Sequence, residues 1–154
     1  MTLSLLDRLT DLDPDSQKEA RLSHWEDLRQ SKAALCRDLA VLLNTRRAEK
    51  DFPADYEEST NSLLSFGVLD FTSYDLKSGP DPDRVRRSIE RAIRQFEPRL
   101  ARVSVTLEEL DPVRPVLQFQ IEALLRIGPA DEPVTFGAAL SRESRRVAVS
   151  GGNA

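Results

Sequence analysis

Two hydrophobic periods divide this chain. Up to residue 96 the apolar positions recur at three- and four-residue steps, as on one face of a helix, and beyond residue 100 they alternate, as on one face of a strand. Residues 3–12 place Leu3, Leu5, Leu6, Leu9 and Leu12 at helical spacing, and a polar stretch then runs to about residue 24. Such a segment reads either as a frayed terminus or as a docking helix that lays Leu5, Leu6 and Leu9 into a partner's groove. From residue 25 or 26 to 45, Leu28, Lys32, Leu35, Leu39, Leu42 and Leu43 predict a long amphipathic helix. Arg46 and Arg47 follow it, where the helix dipole welcomes cations, although they could also form a basic corner toward a partner. Residues 56–67 predict a short helix stopped by Gly67, and Phe71 and Tyr74 are apolar enough to tuck against the core. Asp81 as N-cap, with Pro82 in the first turn, opens a second long helix whose inner stripe is Val85, Ile89, Ala92, Ile93 and Phe96.

After residue 100 the period changes to two. Val103, Val105 and Leu107 alternate with Ser104 and Thr106. Leu117, Phe119, Ile121, Ala123, Leu125 and Ile127 then oppose Gln118, Gln120, Glu122 and Arg126. Val134, Phe136, Ala138 and Leu140 give a third strand, and Val147 with Val149 permits a short fourth. Half-alternating strands separated by short turns imply an antiparallel sheet with one wet face. Helices first and strands second make the fold α+β, with N-terminal helices packed on one face of a C-terminal sheet of three or four strands. The expected organisation is a docking helix and polar linker over 1–24, one domain over 25–150 and a flexible tail at 151–154.

The two periods meet at Phe96-Glu97-Pro98-Arg99-Leu100. Proline removes a backbone donor and drives the residue before it out of helical geometry, so Glu97 ends the helix. An anion there sits at the negative end of the dipole, a placement that costs about 0.3–1 kcal/mol unless something offsets it. Arg99, two residues on, is the nearest candidate; a partner's charge is the other.

Composition removes several classes of function. The 154 residues carry a net charge of −4, which gives no general attraction to nucleic acid or anionic lipid. Arg84, Arg86, Arg87, Arg91 and Arg94 concentrate charge on the second long helix, but Glu90 stands four residues from both Arg86 and Arg94, and no aromatic platform is interleaved. That pattern reads as a solvated, self-paired face. One cysteine, Cys36, cannot form an internal disulfide and fits a reducing compartment. No apolar run reaches the ~18 residues of a membrane span, and the N-terminal stretch lacks a basic region, so a cytoplasmic protein is expected. There is no glycine-rich phosphate loop and no paired Cys or His spacing for a metal, so no cofactor or metal site is expected. With His24 the only histidine, a serine or cysteine nucleophile has almost nothing to activate it. The one enzymatic alternative is a carboxylate pair acting on a glycosidic bond, with Glu97 as acid and a residue such as Asp70 as partner. Arg99 argues against it, because a neighbouring cation favours the ionised carboxylate rather than the acid.

Several motifs in sequence carry a family resemblance. They are Ser4-Leu5-Leu6-Asp7-Arg8-Leu9, Leu42-Leu43-Asn44-Thr45-Arg46-Arg47, Phe66-Gly67-Val68-Leu69-Asp70-Phe71-Thr72, the segment from Ile89 through Glu97-Pro98-Arg99-Leu100, Phe119-Gln120-Ile121, and Glu132-Pro133-Val134. The chain resembles the TssE family, the baseplate wedge subunits of bacterial type VI secretion systems, similar in turn to the small wedge protein of contractile phage tails. The resemblance implies a fold like the handshake domain of a contractile sheath and a structural role, despite a historical lysozyme label. It implies the wedge proteins TssF and TssG and the sheath proteins as partners, with TssK and the spike as further candidates. It also implies that Glu97, Pro98 and Arg99 serve baseplate and sheath assembly. The expected partner-binding residues are therefore Glu97, Pro98, Arg99, Leu5, Leu6, Leu9, Arg46 and Arg47.

Overall fold

A computed structural model describes residues 24–47, 57–60, 62–71, 74, 80–108, 116–127, 130–141 and 146–151. The leucines at 3–12, with the docking helix expected there, lie outside these residues. In chain order the elements are α1 (His24–Asn44), α2 (Glu57–Thr60), a 3-10 turn (Leu63–Ser65), α3 (Asp81–Phe96), β1 (Leu100–Leu107), β2 (Val116–Ile127), β3 (Ala130–Ser141) and β4 (Val147–Gly151). The four strands form one antiparallel meander in the order β1-β2-β3-β4, so β1 and β4 are its edges.

The alternation in the strands decides where the helices lie. Val103, Val105, Leu117, Phe119, Ile121, Leu125, Val134, Phe136, Ala138, Leu140 and Val147 are buried on one face, while Ser104, Thr106, Gln118, Glu122 and Arg126 face solvent on the other. α3 packs over β1, α1 over β4, and the two helices touch each other, which closes one core. α1 contributes Leu28, Leu35, Leu39, Leu42 and Leu43, and α3 contributes Val85, Ile89, Ala92 and Ile93. Lys32 is half-buried at the flank of the α1 stripe, and Ser31 and Ala34 are buried in its place. Each large apolar side chain taken wholly out of water contributes roughly 1.5–3 kcal/mol, so this shared face dominates the fold's stability.

Three local outcomes differ from the pattern read along the chain. The stretch expected as one helix over 56–67 is broken into α2 and the 3-10 turn, where Ser62 caps by accepting from the Leu64 amide at 3.2 Å. α3 is capped by Pro80 rather than Asp81, because the Pro80 carbonyl already accepts from the Arg84 amide at 3.1 Å and draws Asp81 into the first turn. β1 is not a continuous alternation: Ala101 pairs with Leu124 but Ser104 with Glu122, so one extra residue is bulged out. Arg102 takes up the bulge with φ of 50°. The bulge shifts the parity of the strand, which lets Leu100 and Val103 both face the core although they are three apart.

Candidate functional site

Glu97 terminates α3 with φ −119° and ψ 81°, its amide still donating to the Ile93 carbonyl at 2.9 Å. The proline after it forbids another helical turn, and the chain passes through Pro98 and Arg99 into β1. The Arg99 side chain then folds back on the carboxylate two residues earlier. Its Nε donates to Glu97 Oε1 at 2.7 Å, its Nη2 to Oε2 at 2.5 Å, and its amide to Oε1 at 3.2 Å. This is the two-pronged guanidinium–carboxylate arrangement, reinforced by a main-chain donor. The same Nη2 also donates to Asp38 Oδ2 at 2.5 Å, across from α1. Glu97 is 5% exposed as a residue, and the pair sits where the helices meet the root of β1.

One guanidinium therefore holds three elements together: the end of α3, the start of β1 and the middle of α1. Hydrogen bonding to Glu97 raises the Arg99 pKa above its ordinary value, burial opposes the rise, and Asp38 adds to it. Within the chain, Arg99 supplies the compensating charge that Glu97 needs. Asp38 is the member that sequence reasoning missed. It lies 61 positions from Arg99, and no local spacing signals it. Of the three corner residues, Pro98 is the one exposed to solvent.

Arg46 and Arg47 lie just past α1 and form a separate cluster. The Arg46 guanidinium stacks 4.2 Å from the centre of the Phe71 ring and stands 3.9 Å from Asp70. Burial lowers its pKa, with Asp70 opposing. The Arg47 amide donates to the Val68 carbonyl at 3.0 Å, and the Val68 amide to the Thr45 carbonyl at 2.9 Å. Gly67 makes this close crossing possible: its φ is 106°, and a Cβ there would lie 2.4 Å from the Thr45 carbonyl oxygen. Both arginines are half-buried, and Arg46 in particular is spent on packing α1 to the following loop.

The arginines of α3 are not simply solvated. Glu90 receives Arg86 at 2.9 Å and Arg94 at 2.6 Å, as the spacing predicts. Asp83 receives Arg86 at 2.8 Å and Arg87 at 2.6 Å. Arg94 also donates to the Val103 carbonyl at 2.7 Å and Arg86 to the Val105 carbonyl at 3.3 Å, so the helix reaches over to β1. Among the described residues, no cluster of His, Cys, Asp or Glu could hold a metal ion, and no helix is long and apolar enough to cross a membrane.

A four-stranded meander carrying two helices on one face, braced at the corner by Glu97, Arg99 and Asp38, defines a small α+β domain. Residues 29–130, which take in both long helices, the corner and the first two strands, match the family of baseplate wedge protein gp25, and the chain belongs to that family. This is a structural family of baseplate assembly. No curated protein matches the chain.

Proposed function

We propose that this chain is a non-enzymatic wedge subunit in the baseplate of a type VI secretion apparatus, where it binds the neighbouring wedge proteins TssF and TssG and starts the polymerisation of the contractile sheath. The observation that carries the proposal is the family match over residues 29–130. An exposed sheet edge supplies the physical means, since it is a template for another chain's strand. The corner supports that role from within. Glu97, Arg99 and Asp38 preset the angle between the helices and β1, and Pro98 is what the corner offers to a neighbour.

The glycosidase alternative loses its ground in the geometry. A general acid must aim a carboxyl oxygen at the leaving group. Both oxygens of Glu97 instead accept N–H groups of Arg99, and its side chain is 7% exposed.

The test is assembly in cells that carry a fluorescently labelled sheath. Deleting the chain should abolish sheath tubes, and the tagged chain should co-purify with TssF and TssG. Sheath tubes forming at normal frequency without the chain would contradict the proposal.

A further inference from the structure

The buried stripe of α3 has a charged counterpart on the opposite side of the helix. Arg84, Arg87, Arg91 and Arg94 stand three, four and three residues apart, so they share one side, and all four are exposed. At the rise of an α-helix this strip runs about 15 Å. The acids of α3 do not cancel it. The helix carries five arginines against three acids, in a chain whose net charge is −4. Asp81 reaches Arg84 at 3.6 Å, Asp83 is divided between Arg86 and Arg87, and Glu90 between Arg86 and Arg94. Shared in this way, the acids fix the arginine heads more than they neutralise them. A side chain already held in place loses less freedom when a partner arrives.

A second observation carries the strip across to β1. Arg94 donates to the Val103 carbonyl at 2.7 Å, and the residue before Val103 is Arg102. Among the described residues Arg102 is the one non-glycine with positive φ, at 50°, a conformation that glycine or asparagine adopts more easily than arginine. Its side chain is exposed, and no described residue bonds its guanidinium. An arginine kept at a strained position, with nothing inside the fold to hold it, points to a contact outside the fold.

We propose that the outer face of α3, with Arg102 beside Arg94, is a docking strip for an acidic helix of a neighbouring wedge protein, one whose carboxylates recur at the three- and four-residue steps of the arginines. This rests on the assembly reading above, and it puts the contact on the helical layer rather than on main-chain pairing at the sheet. Asp83 and Glu90 border the strip and would repel a continuous row of phosphates, whereas carboxylates on successive helical turns fit between the guanidinium groups. Exposed pairs contribute little one by one, so the strip works by steering and orienting the partner, and salt weakens it.

The experiment is co-purification of TssF and TssG with the tagged full chain, over salt from about 0.05 to 0.5 M. Recovery with the unaltered chain should fall as salt rises. Arg87→Glu together with Arg91→Glu should lower it about tenfold at the low-salt end and flatten the salt dependence. Arg102→Gly separates contact from folding. Glycine takes the positive φ without strain, so the thermal midpoint should be at least that of the unaltered chain while recovery falls about threefold. If the double variant does not fold, Arg102→Gly decides. Arg126→Glu, on the solvent face of the sheet, should leave recovery unchanged. Undiminished recovery in the folded double variant or in Arg102→Gly, or an equal loss in Arg126→Glu, would overturn the strip. Binding of labelled duplex DNA that the double variant abolishes, with TssF and TssG still recovered, would assign the strip to a phosphate polymer instead. Recovery of neither TssF nor TssG by the unaltered chain at any salt would overturn the assembly reading and the strip with it, so the two failures are distinguishable.

Discussion

Two glutamates, seven positions apart, each gather arginines, yet they do different things. Glu90 is half-buried on α3, its side chain 18% exposed, and pairs with Arg86 and Arg94, whose side chains are 27% and 58% exposed. Glu97 lies at the end of the same helix, with its side chain 7% exposed, and pairs with Arg99, itself 15% exposed. Water reaches the first set through Arg94 and competes for that pair, so it contributes little. The second set is taken out of water, where removing one charge strands the other. The difference is not in residue type but in what the chain does between them. Pro98 turns the backbone so that Arg99 reaches back over Glu97, with Asp38 of α1 meeting the same guanidinium.

The sharpest way to break that comparison is Arg99→Ala. It leaves the Glu97 carboxylate buried without its donors and should lower unfolding free energy by about 3 kcal/mol or more in urea denaturation. A loss no larger than that of an exposed arginine would put the two sites in one class. Gly67→Ala sets an uncharged scale. Its φ of 106° and a Cβ placed 2.4 Å from the Thr45 carbonyl oxygen should cost about 2 kcal/mol, read as a lower thermal midpoint. At the Glu90 site, Arg94→Ala should cost only ~0.5–1 kcal/mol, and added salt should shrink even that.

The smallest effect is in the pH dependence. Arg99 has its pKa raised above its already high ordinary value, so its contribution is fully present throughout the acid and neutral range and gives no slope near neutrality. Asp83 is held below its ordinary 3.8, by Arg86 first, so its contribution is present above 3.8 and lost as the pH falls through the lowered value. Thermal midpoints measured from pH 8 down to 3 should therefore decline only at the acid end from this group, and Asp83→Asn should flatten that decline.

Periodicity exposed most of the fold. The α1 and α3 stripes, the alternation from Leu117 to Ile127 and the short fourth strand all follow from side chains that must share one buried face. Local spacing also revealed Glu90 with its two arginines, since four residues bring helical side chains together. It could not reveal Asp38, because the Asp38–Arg99 contact exists only once α1 crosses the corner. Nor could it show the bulge at Arg102, since Leu100 and Val103 need it only when both must be buried against α3. The same holds for the reach of α3 to β1. Arg86 and Arg94 read as surface charge in the sequence, and their bonds to the β1 carbonyls depend on how close the helix lies to that strand. The contacts of Glu97 and Arg99 were open between an internal pair and a partner, and the internal pair is the one the fold makes.

The claim that the corner is an internal brace is tested most directly by a double-mutant cycle on Glu97 and Arg99, with Glu97→Ala, Arg99→Ala and the double variant unfolded in urea. The brace predicts a coupling of about 2 kcal/mol, the double variant being far more stable than the two single losses added together would make it. A coupling near zero, with the two single losses simply additive, would contradict it.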